Sequence, residues 1–131
     1  MLDTDIASYV IRRRPAPLAE KFHKHADSLC VSVITAAELR FGAEKAGRPP
    51  LIELVEASLE RLAILDWTDN VSVHYARIHS ALERAGKPIG SMDLLIASHA
   101  VALRMTLVTN NLRHFAHVPG LKAEVWNGTA T

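Results

Sequence analysis

Aromatic residues make up only 5% of this 131-residue chain, too few for an extended platform on which nucleic-acid bases could stack. There is one cysteine, Cys30, so an internal disulfide is excluded and a reducing, cytoplasmic setting is expected. Cys30 falls in an apolar run and reads as a buried, inert thiol. No apolar run reaches membrane-spanning length, and Asp3 and Asp5 occupy the place of a basic signal-peptide region; neither a membrane span nor a signal peptide is expected. Glycine-rich phosphate loops are missing, which argues against a nucleotide-hydrolysing or dinucleotide enzyme. The seven histidines include no His-x-x-x-His pair, so a zinc site is not expected. No Gly-x-Ser-x-Gly supports a serine nucleophile. Fifteen basic residues against fourteen acidic ones leave a net charge of +1, without the excess typical of nucleic-acid binders.

What remains is an alternation of short apolar runs and helical patterns. Strands are expected at residues 1–4, 29–33, 63–65, 106–109 and 123–126. The first helix is expected to be capped by Asp5 and ended by Pro15. A second spans residues 17–25 and a third residues 35–46, stopped by Gly47 and Pro49. A fourth begins at Pro50 with Leu51, Leu54, Ser58 and Leu62 on one face. A fifth, opened by Asp69, carries Val71, Tyr75, Ile78 and Leu82 at helical spacing and ends at Gly86. A sixth runs over residues 91–103. Residues 110–115 form a loop with one helical turn, and a polar tail beyond Trp126 is expected to fray. Strands separated by helices of this length imply parallel crossovers, and mostly apolar strands imply a sheet covered on both faces. The expected fold is a single three-layer α/β/α sandwich over residues 1–131.

Three acids mark transitions between these elements: Asp3, Glu38 and Asp93. Each of the last two has an ordinary local explanation. Thr35-Ala36-Ala37-Glu38 fits a capping box, and Asp93 lies in a first helical turn where negative charge favours the dipole. Asp3 has no such explanation on this reading, because aspartate is disfavoured in strands and costly when buried unpaired. At one sheet edge the three would repel unless a cation held them, which points to Mg²⁺ or Mn²⁺ acting on phosphate.

Four ordered blocks carry a resemblance: Leu2-Asp3-Thr4-Asp5; Ile34-Thr35-Ala36-Ala37-Glu38-Leu39-Arg40-Phe41-Gly42; Gly90-Ser91-Met92-Asp93-Leu94-Leu95-Ile96-Ala97; and Val108-Thr109-Asn110-Asn111-Leu112-Arg113-His114-Phe115. Together they resemble the PIN-domain ribonucleases, and among these the VapC toxins of bacterial toxin–antitoxin pairs. The resemblance implies a PIN-like fold, a homodimer, and Mg²⁺- or Mn²⁺-dependent cleavage of RNA, with transfer RNA a plausible substrate. It also implies a VapB-type antitoxin that covers the active groove, complexes of heterotetramer size or larger, and operator DNA reached only through the antitoxin. By motif Asp3, Glu38 and Asp93 carry over as metal ligands. Asn111 stands where many PIN domains have a fourth acid, an amide that can ligate or orient water but adds no charge.

Arg12, Arg13, Arg14, Lys45, Arg48 and Arg113 are candidate RNA-backbone contacts, although the Arg12–Arg14 run also suits a solvated helix end. Two alternatives accompany this reading. Asp3-Thr4-Asp5 also matches the Asp-x-Asp start of haloacid-dehalogenase-type phosphohydrolases, with Asp3 as nucleophile, although Ala7 and the lack of a cap region speak against it. The other is a PIN-like module that binds without catalysing.

Overall fold

Alternation along three short segments creates two separate cores. Leu2, Val31 and Val108 face one way, and their neighbours Met1, Cys30 and Leu107 face the other. All six side chains are buried. In this computed structural model, which describes residues 1–126, β1 (Cys30–Ser32) pairs in parallel with β2 (Ala63–Leu65). β3 (Thr106–Thr109) pairs in parallel with β4 (Lys122–Val125). Leu2 joins the halves through parallel bridges to Val31 and Val108. The polar tail expected to fray lies outside the described residues.

The expected first strand is therefore reduced to one bridging residue. Leu2 N–H donates to Cys30 O at 2.9 Å, Val108 N–H to Met1 O at 2.8 Å, and Asp3 N–H to Val108 O at 2.9 Å. Immediately afterwards the chain turns into α1 (Thr4–Arg13). The cap of that helix is Asp3, not Asp5: its Oδ1 accepts from Ile6 N–H at 2.9 Å. Asp3 thus has the local explanation that its strand-like setting concealed.

Four helices cover the Leu2–Val31–Val108 face. Ile6 and Ile11 of α1, Leu18 of α2 (Ala16–Lys24), Leu39 of α3 (Val33–Ala46), and Leu51, Val55 and Leu59 of α4 (Pro49–Glu60) join that core. The buried stripe of α4 differs from the expected one: Val55 and Leu59 point inward, while Leu54 and Ser58 lie on its flank. Helix α3 starts two residues early, because Ser32 caps it by accepting from Ile34 N–H at 3.1 Å. Thr35 is then inside the helix, and the expected capping box with Glu38 does not form.

Two further helices cover the opposite face. α5 (Asp69–Ala85) and α6 (Ser91–Ala102) bury Ile78, Leu82, Leu94, Ile96 and Ala100 there. Gly86 ends α5 with φ of 67°, a left-handed conformation in which glycine carries no Cβ penalty. The order across the sheet is β2, β1, Leu2, β3, β4, all parallel. Chains leaving the middle of this sheet go to opposite faces, so the carboxyl ends of Leu2, β1 and β3 form a topological switch point, the kind of crevice in which α/β proteins bind ligands.

Candidate active site

That crevice receives the predicted acids, each by a different device. Asp3 follows Leu2 directly and is 2% exposed. Besides accepting from the Ile6 N–H, it lies beside the Thr109 hydroxyl at the end of β3, which favours the ionised carboxylate. Burial pushes its carboxyl above the ordinary range; the Ile6 N–H and the Thr109 hydroxyl oppose that, and the charges of Asp5 and Asp93 add to it. Asp93 comes from the first turn of α6, a helix that runs antiparallel into β3 and so starts at the carboxyl edge. Glu38 lies in the second turn of α3, half-buried, where the Thr4 hydroxyl donates to its Oε1 at 2.6 Å. The Thr35 hydroxyl oxygen stands 3.2 Å from that of Thr4, so α1 and α3 are clasped beside the acids.

Among the described residues no three His, Cys, Asp or Glu side chains stand at the mutual spacing of a filled metal site. Like charges explain the spread: each carboxylate turns to its own partner, Asp3 to Ile6 and Thr109, Glu38 to Thr4, Asp93 to His114. In donor chemistry the set fits a hard divalent cation, and Asp3 gives the clearest sign. It is a buried carboxylate that feels a neighbouring acid, with no cationic side chain among the groups that shift it.

Asn111 is exposed, and its side chain makes no hydrogen bond to the acids. Its backbone N–H donates to Thr109 Oγ1 at 2.9 Å, which holds the threonine against Asp3. One turn later, the 3₁₀ segment Leu112–Phe115 brings His114 Nε2 to 2.7 Å from Asp93 Oδ2. Thr109 stands at the carboxyl edge, as the sequence suggests, whereas Thr4 and His114 were not singled out from sequence. Their signal was position alone: one residue after Asp3 and three after Asn111.

His99, two turns along α6 from Asp93, packs beneath the site. It is fully buried, with Nδ1 2.8 Å from Ser32 Oγ. Burial holds its pKa below the ordinary value, partly offset by the nearby Asp66. The unfolded chain therefore takes up a proton near pH 6.5, where the folded chain does not. The His99 contribution to stability is full above about pH 6.5 and declines as pH falls through that window. Urea midpoints from pH 8 to pH 5 should drop in the wild type and drop less in His99→Gln. Equal slopes would show that His99 does not carry the effect.

The basic residues divide. Arg12, Arg13 and Arg48 line one open cleft of about 650 Å³ between the C-terminal end of α1 and the start of α4. It lies about 13 Å along α1 from Asp3, at 1.5 Å per residue. Arg14 and Lys45 are exposed at the far ends of α1 and α3. Of these six candidates, Arg113 is the one in the 3₁₀ segment that carries His114. No helix among the described residues is long and apolar enough to cross a membrane.

The PIN domain family matches residues 1–121 of this chain. Ribonuclease VapC2 of Haemophilus influenzae is 45% identical over 127 residues, covering 96% of both chains. The tRNA(fMet)-specific endonuclease VapC of Salmonella typhimurium is 38% identical, again over 96% of both. The crystal structure of VapBC2 from Rickettsia felis, bound to a DNA fragment from its promoter, contains a chain that superimposes with a TM-score of 0.93 at 35% identity. That match covers 97% of this chain and 98% of the other.

Proposed function

The chain belongs to the PIN-domain family, and from that premise we propose that it is the toxin of a type II toxin–antitoxin pair, an endoribonuclease that hydrolyses RNA phosphodiester bonds with Mg²⁺ or Mn²⁺. Its relatives are ribonucleases and a tRNA endonuclease, matched over nearly their whole length. A structured RNA, such as a transfer RNA, is the proposed substrate. The observation that carries the metal site is Asp3: a buried carboxylate beside a second acid, at the crevice of an all-parallel sheet. A dehalogenase-type phosphohydrolase is not favoured, since the family match runs through residues 1–121. A module that only binds is not favoured either, since the relatives are enzymes.

Asp3 and Asp93 would hold the cation, with Glu38 binding it directly or through water. When bound, it lowers the pKa of water and offsets the negative charge that builds on the phosphodiester. The protein's own part is positioning. Thr109 and Ile6 fix Asp3, and Thr4 fixes Glu38 where it can take the proton of an attacking water. Asn111 can orient that water through its amide. Arg113 beside His114, and the Arg12–Arg13–Arg48 cleft with Arg14 and Lys45 further out, would contact the RNA backbone.

The physiological form is a homodimer bound to a VapB-type antitoxin in a heterotetramer or larger assembly, in the cytoplasm. Operator DNA would be reached through the antitoxin, in keeping with the promoter-bound relative.

Antitoxin-free protein incubated with transfer RNA and Mg²⁺ should cut it, and chelation should stop the cleavage. Attack by water leaves 5′-phosphate and 3′-hydroxyl ends. A 2′,3′-cyclic phosphate would mean attack by the RNA's own 2′-OH and would overturn this mechanism.

A further inference from the structure

The strongest unexplained contact in the crevice belongs to a residue outside the acidic set. His114 Nε2 lies 2.7 Å from Asp93 Oδ2. Yet it is shut off from solvent and makes no properly directed hydrogen bond. A nitrogen this close to a carboxylate oxygen, but off the line of a hydrogen bond, is poorly satisfied by that oxygen alone. It suits two donors turned toward a common third partner. The ring is held for this purpose from behind. Phe115 is buried and meets the imidazole edge to face at 5.4 Å between centroids. The His114 backbone N–H donates to Asn111 O at 3.1 Å and fixes the 3₁₀ turn that carries the ring.

We propose that His114 is a further metal ligand of the crevice, giving the cation an imidazole nitrogen beside the Asp93 carboxylate. This rests on the metal-site reading above and refines it. Asn111, the position that sequence suggested as the fourth member, keeps its side chain exposed and without a hydrogen bond to the acids, whereas His114 meets one of them directly.

Donor type then sets metal preference. Mg²⁺ takes oxygen ligands almost exclusively and retains its waters. A site with imidazole gains affinity along the transition-metal series, so Mn²⁺ should be preferred over Mg²⁺ by more than an all-oxygen site allows.

The test is pulsed electron paramagnetic resonance of the full chain loaded with Mn²⁺ alone, together with Mn²⁺ and Mg²⁺ affinities by calorimetry. The wild type should show nitrogen modulation from a coordinated imidazole. His114→Gln should lose that modulation and bind Mn²⁺ about 10-fold more weakly, with a smaller change for Mg²⁺. His114→Ala provides a second variant, and equal melting temperatures without metal show that both fold. Mn²⁺ that binds and is lost in Asp93→Asn, but shows no nitrogen coupling, overturns the ligand role of His114 and leaves the acidic site standing. Coupling that persists in His114→Gln overturns it as well. Mn²⁺ binding that survives both Asp3→Asn and Asp93→Asn overturns the acidic site itself, and His114 with it.

Discussion

Asp93→Asn should lower RNA cleavage by about 100-fold or more, the scale of losing one group that stabilises transition-state charge. The fold should hardly notice. Asp93 sits in the first turn of α6, about one-third exposed, and its one close side-chain partner is His114. An amide there gives up only the favourable placement of a negative charge near a helix N-terminus, about 0.3–1 kcal/mol. Initial cleavage rates should therefore fall steeply while the metal-free melting temperature moves by no more than a few degrees. A divalent cation should raise the melting temperature of the wild type and do so far less in the variant, because only the folded site binds it. Near-normal cleavage in a well-folded Asp93→Asn protein would remove Asp93 from the active site.

Asp3 should behave differently, and two substitutions separate its roles. As the cap of α1 it accepts from Ile6 N–H, and as a buried acid it strains against Asp5 and Asp93. Asp3→Asn keeps an oxygen for the cap and removes the charge. Cleavage should fall by about 100-fold or more. Metal-free stability should hold or rise, since a poorly compensated buried charge is gone. Asp3→Ala loses the cap too, at a cost of about 1 kcal/mol. It also leaves Ile6 N–H without its acceptor in a buried place. It should be equally inactive and measurably less stable. Denaturant midpoints of the three proteins without metal, ordered Asp3→Asn at or above wild type and wild type above Asp3→Ala, would bear this out. An Asp3→Asn protein less stable than the wild type would show that the carboxylate is better compensated than its surroundings indicate.

Much of the chain was legible from sequence, for local reasons. The runs at residues 63–65 and 106–109 were placed as strands without error, because short apolar stretches bounded by helical patterns have few other uses. Helix α5 kept its Val71–Ile78–Leu82 stripe and its glycine stop, since period and left-handed termination are written in neighbouring residues. The errors came where two local rules competed. Asp3 and Asp5 are both good caps, and what chose Asp3 was the hydrogen bonding of Leu2 and Asp3 to Cys30 and Val108, residues far along the chain. Ser32 and Thr35 are likewise both good caps, and the end of β1 decided for Ser32.

The same division holds for the candidate site. Sequence by itself determined the kind of protein: an alternating α/β chain, a set of three acids, and ordered motifs that placed it among PIN-domain ribonucleases. Those features depend on residue type and short spacing, which survive without coordinates. Only the tertiary structure decided the partners: Thr4 on Glu38 across 34 residues, Thr109 on Asp3, and His114 rather than Asn111 against Asp93. Such pairings are set by how a parallel sheet closes and by which side of a 3₁₀ turn faces the crevice, and no local pattern encodes either.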